Sequence, residues 1–402
     1  MTYAKARKRN LIRTACFLPL GGALLAVGPM TGVADFGSPA IGQQAVTKLP
    51  NPPADGIMGF VVEDFIPPVI QGKDACPEGT VRKVRDEYLA ALPEAERTRL
   101  MLKENEEELV AKWQASLFGS NNTNICSQPD MFTRADMRTV QSKFSHGLDL
   151  DGGKSVDTCA HEEFASPAGV TGIDNQEYRV MGCTLEWRGV DGIAGDQAIG
   201  TRQFHASGEW TQVILLKGVD SLQHDDSVEV IYANTPDRPV QDSKGHFLRG
   251  ASFSASTKLP RHRNVLHGRI ENGVLTTDPQ DIMLAQTWGQ GGSRDIRGNR
   301  TKFDYRRGKL QLTFQPDGSL RGMLGGYKPV FDVIQSPGIG GVGSALVAGI
   351  DCAQYLQTLR KYADGIRDPK TGKCSGVSSA MQIRAIPAFV NDVPAAERMT
   401  KR

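Results

Sequence analysis

Alternation of apolar and polar side chains is the clearest pattern in the sequence, and it is concentrated between residues 205 and 330. Leu310, Leu312 and Phe314 occupy every second position of one run, which is typical of a strand with one face toward water. Other short runs bounded by turn residues are Gln212–Leu216, Ser227–Tyr232 and Phe247–Ser254. Many short strands with regular turns are typical of a sandwich or a barrel. We expect a mainly β (α+β) fold with a central antiparallel β-sandwich over residues 205–330.

Two tight turns support the antiparallel arrangement. Asn272-Gly273 separates two short β-like runs, and the Asn-Gly pair suits the positive φ angles of a two-residue hairpin turn. Pro316-Asp317-Gly318 separates Lys309–Phe314 from Ser319–Leu324, and these residue types favour a turn. Each pair of flanking runs is therefore predicted to form a hairpin.

A helical segment is predicted before the sheet, within residues 76–146. Pro93 followed by Glu94 and Glu96 is typical of a helix start, because proline fits the first turn and acidic side chains favour the positive end of the helix. The apolar side chains that then fall near one helical face are Leu102, Leu109, Val110, Trp113 and Leu117. We expect an amphipathic helix that packs on the core; a membrane-surface helix is the alternative.

Two further regions border the predicted sheet. Residues 147–204 are rich in Asp and Gly and are expected to form loops around a short helix, Asn175–Met181, with Asp174 as its N-cap. Residues 331–402 are expected to form a C-terminal helix–loop–strand cap, whose helix begins after Asp351.

The first 34 residues resemble a secretory leader. They contain five basic residues and no acidic residue, then a mostly apolar stretch over 14–28 and the small residues Gly32-Val33-Ala34. This order is typical of a signal peptide, and the apolar stretch is shorter than a membrane-spanning helix. An uncleaved membrane anchor is the alternative. Residues 35–75 contain six prolines and are expected to form an extended arm over the body.

Charge argues against a nucleic-acid partner. The chain has 47 basic and 45 acidic side chains, and five of the basic ones lie within residues 1–34. The remainder therefore carries 42 basic and 45 acidic side chains, a net charge of −3, whereas nucleic-acid-binding proteins usually have a basic surplus. We also expect no transmembrane segment after signal cleavage.

Cysteine usage indicates an oxidising compartment. One of the seven cysteines, Cys16, lies in the leader, and an even number in an exported chain is typical of disulfides. The remaining six are Cys76, Cys126, Cys159, Cys183, Cys352 and Cys374. Six cysteines allow 15 pairings; we expect sequential pairing, 76–126, 159–183 and 352–374, because each pair brackets one local module.

One Asp/Gly-rich segment is a candidate calcium loop. Its candidate ligands are Asp149, Asp151, Ser155 and Asp157. Alternating acidic side chains can place oxygens around a hard cation such as Ca²⁺. The segment departs from a regular EF-hand, because Lys154 and Ala160 stand where glycine and glutamate are required. A looser calcium loop, completed by Glu162 or Glu163, and an ordinary solvated turn are the two interpretations.

No motif indicates a particular reaction. Gly338–Gly343 matches GxGxxG, but it follows an antiparallel-looking region and lacks the βαβ context of a dinucleotide site, so we interpret it as a connector. His161 lacks the second histidine of an HExxH metal site. Trp187, Trp210 and Trp288 could form a sugar-stacking platform, although core packing is the usual role of such residues. No organic cofactor is indicated.

Two stretches resemble motifs of large, uncharacterised exported bacterial proteins. They are Gly172-Ile173-Asp174-Asn175-Gln176 with Gly182-Cys183, and Ala385-Ile386-Pro387-Ala388-Phe389-Val390. The similarity runs from about residue 145 to the C-terminus. It implies export, and it supplies no activity, ligand or catalytic residue.

These observations favour a periplasmic or secreted protein with a binding function. We expect a non-enzymatic module that holds a small molecule, a glycan or an envelope protein, because loops at one end of a sheet often form recognition sites. An exported glycoside-type hydrolase with acid and base carboxylates on separate loops is one alternative. A structural envelope component is the other.

Overall fold

The computed structural model describes most of the chain after its N-terminal segment. The described residues are 49–119, 122–152, 159, 161–190, 193–257, 262–285, 302–335 and 349–392. The predicted leader, the glycine-rich stretch at 338–343, Trp288 and the candidate ligands Ser155 and Asp157 lie outside them.

Strands make up most of the regular structure. The twelve strands of the described chain are β1 (Met58–Ile66), β2 (Gln212–Lys217), β3 (His224–Asn234), β4 (Ser252–Ser254), β5 (Arg263–Glu271), β6 (Val274–Thr277), β7 (Gln280–Ala285), β8 (Lys302–Phe314), β9 (Leu320–Pro329), β10 (Gly365–Arg367), β11 (Cys374–Pro387) and β12 (Phe389–Asn391).

The helices of the described chain are short. They are α1 (Val84–Ala90), α2 (Glu94–Leu100), α3 (Glu106–Ala115), α4 (Gln176–Met181), α5 (Leu185–Arg188), α6 (Asp196–Ser207), α7 (Val330–Gln335) and α8 (Cys352–Lys361), with 3-10 turns at Lys73–Ala75, Lys103–Asn105 and Pro129–Met131. None of them has the length and apolarity needed to cross a bilayer.

The central sheet closes on itself, so the expected β-sandwich is wrong. Its strands pair in the ring order β1-β2-β3-β5-β6-β8-β9-β11, every pair is antiparallel, and β11 pairs back with β1. The result is a closed eight-stranded up-and-down barrel. Alternation predicts a half-buried strand equally well in either architecture. The two strands that close the ring, β1 and β11, lie outside the predicted core of 205–330.

β1 lies within the region expected to be an extended arm. Residues Phe60–Ile66 are all buried, and Phe60 sits opposite Ile214 of β2 and Pro387 of β11. Two acidic residues interrupt this apolar strand and are neutralised where they lie: Glu63 binds Arg384, and Asp64 binds Arg202. A strand that is buried on both faces usually has a nearly continuous apolar sequence. Because the two acidic residues interrupt that run, the sequence pattern did not predict this strand.

Both predicted hairpins form, and one of the two predicted helix caps is confirmed. β5 and β6 meet at Asn272, whose φ is +53°, and β8 and β9 flank the turn at Gly318. The Asp351 carboxylate accepts from the amides of Ala353 and Gln354, as an N-cap does. At α4 the cap is Asn175 rather than Asp174.

The predicted amphipathic helix is divided in two. α2 ends at Leu100, a 3-10 turn follows, and α3 begins at Glu106. Leu102, expected on the buried face, is 47% exposed. Leu100 and Leu109 instead pack with Leu89 in a small separate cluster.

The disulfides join distant parts of the chain. The bonded pairs are Cys76–Cys183, Cys126–Cys352 and Cys159–Cys374. They span 107, 226 and 215 residues, with Cα atoms 5.0 to 6.0 Å apart. The expected sequential pairing is therefore wrong, because the fold brings Cys76 against the segment just after α4 and brings Cys126 and Cys159 against the C-terminal region.

Apolar side chains fill the barrel toward one end, and an ion pair lies at the other. The apolar cluster includes Phe60, Ile214, Val230, Ile270, Leu312, Phe314, Leu320 and Leu324. At the opposite end, Lys328 of β9 donates to both carboxylate oxygens of Glu177, at 3.0 and 2.9 Å. Glu177 belongs to α4 and also accepts from Ser379. α4 is therefore fixed to this end of the barrel by a buried charge pair.

An aromatic group surrounds the same end. Trp210 packs edge-on against Phe65 and Phe303, and Phe65 stacks on the ring of His205 from α6. The Lys328 ammonium lies 4.3 Å from the Phe303 ring centroid, a favourable cation–π distance. Burial lowers the pKa of His205 from 6.5 to about 4, so its ring is neutral in the folded protein at neutral pH.

The ion pair predicts a large asymmetry between single and double substitutions. Lys328→Met leaves the buried Glu177 carboxylate without its cation and should cost roughly 3–5 kcal/mol of unfolding free energy. The double variant Lys328→Met/Glu177→Gln should recover part of that loss. Chemical denaturation measures both.

Arg360→Met is the matched control. Arg360 pairs with Asp130 at an exposed site, where loss of an ion pair should cost less than about 1 kcal/mol. If Lys328→Met costs no more than this control, Glu177 and Lys328 do not form the buried pair described.

His205 predicts a pH dependence with a definite sign. The unfolded chain protonates this histidine below about pH 6.5, whereas the folded chain resists protonation down to about pH 4. Stability is therefore lost as the pH falls between these values, by about 3 kcal/mol in total. His205→Phe should remove this loss.

Asp174 and Asp364 have pKa values raised to about 7, so they favour folding as the pH falls. The measurement is therefore the difference in unfolding free energy between wild type and His205→Phe from pH 8 to pH 4. The contributions of these aspartates are the same in both proteins and cancel in that difference. Parallel profiles would contradict the burial of His205.

Candidate metal centre

Three aspartate side chains converge beside the barrel. The carboxylates of Asp149, Asp151 and Asp174 each offer an oxygen, and these oxygens all lie within 4.8 Å of one another. Asp149 is exposed, Asp151 is half-buried and Asp174 is buried. Two of them come from the predicted calcium loop, and the third, Asp174, lies just before the N-cap of α4.

Alternation of leucine and aspartate creates the first half of the site. Leu148 and Leu150 are buried against Tyr327 of β9, whereas Asp149 is exposed and Asp151 is half-buried. The Asp149 carboxylate accepts from the Gly152 amide at 2.7 Å, and Gly152 has a φ of +68° that favours glycine. This turn holds the two carboxylates near each other.

Asp174 is attached to the same segment by two hydrogen bonds. Its amide donates to the Leu148 carbonyl at 3.0 Å, and its carboxylate accepts from the Leu150 amide at 2.8 Å. Burial raises the pKa of Asp174 to about 7, and the neighbouring charges of Asp151, Asp364 and Glu163 add to the increase.

Two more acidic residues border the triad. A side chain built at Gly172 would lie 3.8 Å from both the Asp149 and the Glu163 carboxylates, so both carboxylates border Gly172. Asp364 is buried, accepts from the Ser378 amide at 2.6 Å, and has its pKa raised to about 7 by burial.

Tyr327 packs against the segment that carries Asp149 and Asp151. It is 2% exposed, and its hydroxyl has no hydrogen-bond partner in the described part of the chain. Burial raises its pKa, and so do the charges of Asp174, Asp364 and Asp151. Lys309 lies nearby, donating to the Asp149 carbonyl at 3.2 Å.

Two of the four candidate ligands, Asp149 and Asp151, lie in the triad. Its third member, Asp174, was expected only to cap a helix. Its separation of more than 20 residues from the loop leaves no local signal. Of the two glutamates proposed to complete the site, Glu163 borders Gly172 together with Asp149.

The arrangement suits a hard divalent cation. Carboxylate oxygens are the preferred ligands of Ca²⁺, which takes six to eight of them in flexible geometry. Burial is the main cause of the raised pKa of Asp174, and the charges of neighbouring carboxylates add to it. A cation bound at the triad would lower that pKa.

Other residues considered for chemistry have structural partners. Cys159 is bonded to Cys374, and the His161 ring nitrogen lies 3.0 Å from the Ala363 carbonyl. Trp187 and Trp210 are 2% and 1% exposed, so neither offers an exposed ring face for a sugar.

A groove with a volume of about 320 Å³ lies elsewhere on the surface. Val81, Leu185, Ile193 and Ile199 give it apolar walls, and Asp196 is among its polar lining residues. Since none of the three aspartates lines it, the groove and the acidic site are separate features.

No protein-family model, curated protein or solved structure matches this chain.

Proposed function

We propose that this chain is an exported, non-enzymatic binding protein that binds Ca²⁺ through Asp149, Asp151 and Asp174. The observation that carries the proposal is the convergence of three carboxylates from two separate segments within 4.8 Å. Carboxylate oxygens gathered from two segments are the kind of ligand set that Ca²⁺ prefers.

The ligand types favour calcium over other metals. The triad offers carboxylate oxygens, and neither a histidine nor a cysteine joins it in the described part of the chain. Zinc and copper sites generally use nitrogen or sulfur ligands. Mg²⁺ requires near-ideal octahedral geometry, which an exposed loop ligand such as Asp149 does not readily impose.

Several observations support export. The N-terminal sequence has the basic and apolar order of a secretory leader. All six cysteines after it are paired in disulfides, which persist in oxidising compartments. The periplasm or the cell exterior is therefore the proposed location, where free Ca²⁺ suffices for a site of moderate affinity.

One observation favours a hydrolase as a second candidate. Asp174 and Asp364 are buried carboxyls with pKa values raised to about 7, and a general acid works best with a pKa near the ambient pH. Hydrolysis of polysaccharide by the protein, lost in both Asp174→Asn and Asp364→Asn, would favour this candidate.

Removal of one carboxylate tests the binding proposal. Ca²⁺ at 100 times its dissociation constant should stabilise the wild-type protein by about 2.7 kcal/mol. Asp174→Asn should abolish this stabilisation, because asparagine keeps an oxygen for the Leu150 amide but lacks the charge. Thermal unfolding after chelator treatment, with and without Ca²⁺, measures the effect.

Asp226→Asn provides the control, since the Asp226 side chain is 88% exposed and belongs to no acidic group. It should respond to Ca²⁺ as the wild type does. An unchanged melting temperature of the wild type in Ca²⁺, or an equal response of Asp174→Asn, would refute the proposal.

A further inference from the structure

We propose that Tyr327 of β9 completes the cation site by supplying its hydroxyl as a neutral oxygen ligand. The bound cation then ties the segment that carries the three aspartates to the wall of the barrel. This inference rests on the cation binding proposed above, and it assigns the residue that positions the ion against the fold.

The unpaired hydroxyl is the first observation. Tyr327 is 2% exposed, and no hydrogen-bond partner for its oxygen occurs among the described residues. Buried polar groups nearly always have partners, so this hydroxyl oxygen is available as a ligand.

The position of the ring is the second observation. A side chain built at Gly365 would lie only 2.1 Å from the Tyr327 ring, so the ring lies against the backbone that follows Asp364. Leu148 and Leu150 pack against the same ring. Tyr327 is therefore held between the segments that carry the carboxylates.

The electrostatic surroundings agree with this placement. Burial is the main cause of the raised pKa of Tyr327; the charges of Asp174, Asp364 and Asp151 add to the increase, and that of Arg307 opposes it. A phenol is in any case neutral at neutral pH, because its ordinary pKa is about 10. A neutral oxygen adds a ligand without adding charge to a site that already has three carboxylates. Ca²⁺ accepts such mixed sets of charged and neutral oxygens.

Terbium luminescence can test the proposal, because Tb³⁺ occupies calcium sites and is sensitised by a tyrosine only at short range. The wild-type protein should show tyrosine-sensitised emission that excess Ca²⁺ displaces. Tyr327→Phe should lose most of that emission, bind roughly tenfold more weakly, and gain one bound water by emission lifetimes in H₂O and D₂O.

Tyr305→Phe is the matched control, because Tyr305 is also a buried barrel tyrosine, but its side chain belongs to the interior cluster. It should leave emission, affinity and bound water unchanged. A merely structural role for Tyr327 would lower stability without adding a bound water.

The possible failures are distinguishable. If Asp174→Asn abolishes binding while Tyr327→Phe keeps wild-type emission and hydration, the inference is wrong and the cation site stands. If the wild type binds neither Tb³⁺ nor Ca²⁺, both fail. Should Tyr327→Phe not fold, the wild-type excitation spectrum decides: a tyrosine spectrum supports the proposal, and a tryptophan spectrum or none overturns it.

Discussion

Pairing of β1 with β11 is the constraint on which the rest of the structure depends. It closes the ring of strands, with Phe60 opposite Pro387 and Ile66 opposite Gln382. Closure also fixes β11 against α4: the Ser378 hydroxyl accepts from the Gln176 amide, and Ser379 donates to Glu177. Because Asp174 lies just before this helix, the position of the acidic site follows from the closure of the barrel.

A single strand links the interior of the barrel to that site. Successive side chains of a strand point to opposite faces, and β9 uses this at two neighbouring residues. Lys328 points inward and neutralises Glu177, whereas Tyr327 points outward and packs against Leu148 and Leu150. The ion pair therefore fixes α4 from within, while the hydrogen bonds of Asp174 to Leu148 and Leu150 hold the loop before α4 from outside. The two features share one strand and one short helix.

Local patterns allowed part of this to be predicted. The hairpins at Asn272 and Gly318 and the cap at Asp351 follow from residue preferences that act over a few positions. The barrel, the disulfide pairing and the role of Asp174 could not be predicted, because each depends on which distant segments meet. β1 was missed for a related reason: Glu63 and Asp64 interrupt its apolar run, and their arginine partners come from elsewhere in the chain.

The central claim is that a closed barrel presents three aspartates as a site for a divalent cation. An anomalous difference map from crystals grown with Tb³⁺ in place of Ca²⁺ tests it most directly. We expect a strong peak roughly 2.3–2.6 Å from oxygens of Asp149, Asp151 and Asp174. The same map should show β1 paired with β11. A well-ordered map with no peak between these carboxylates would contradict it.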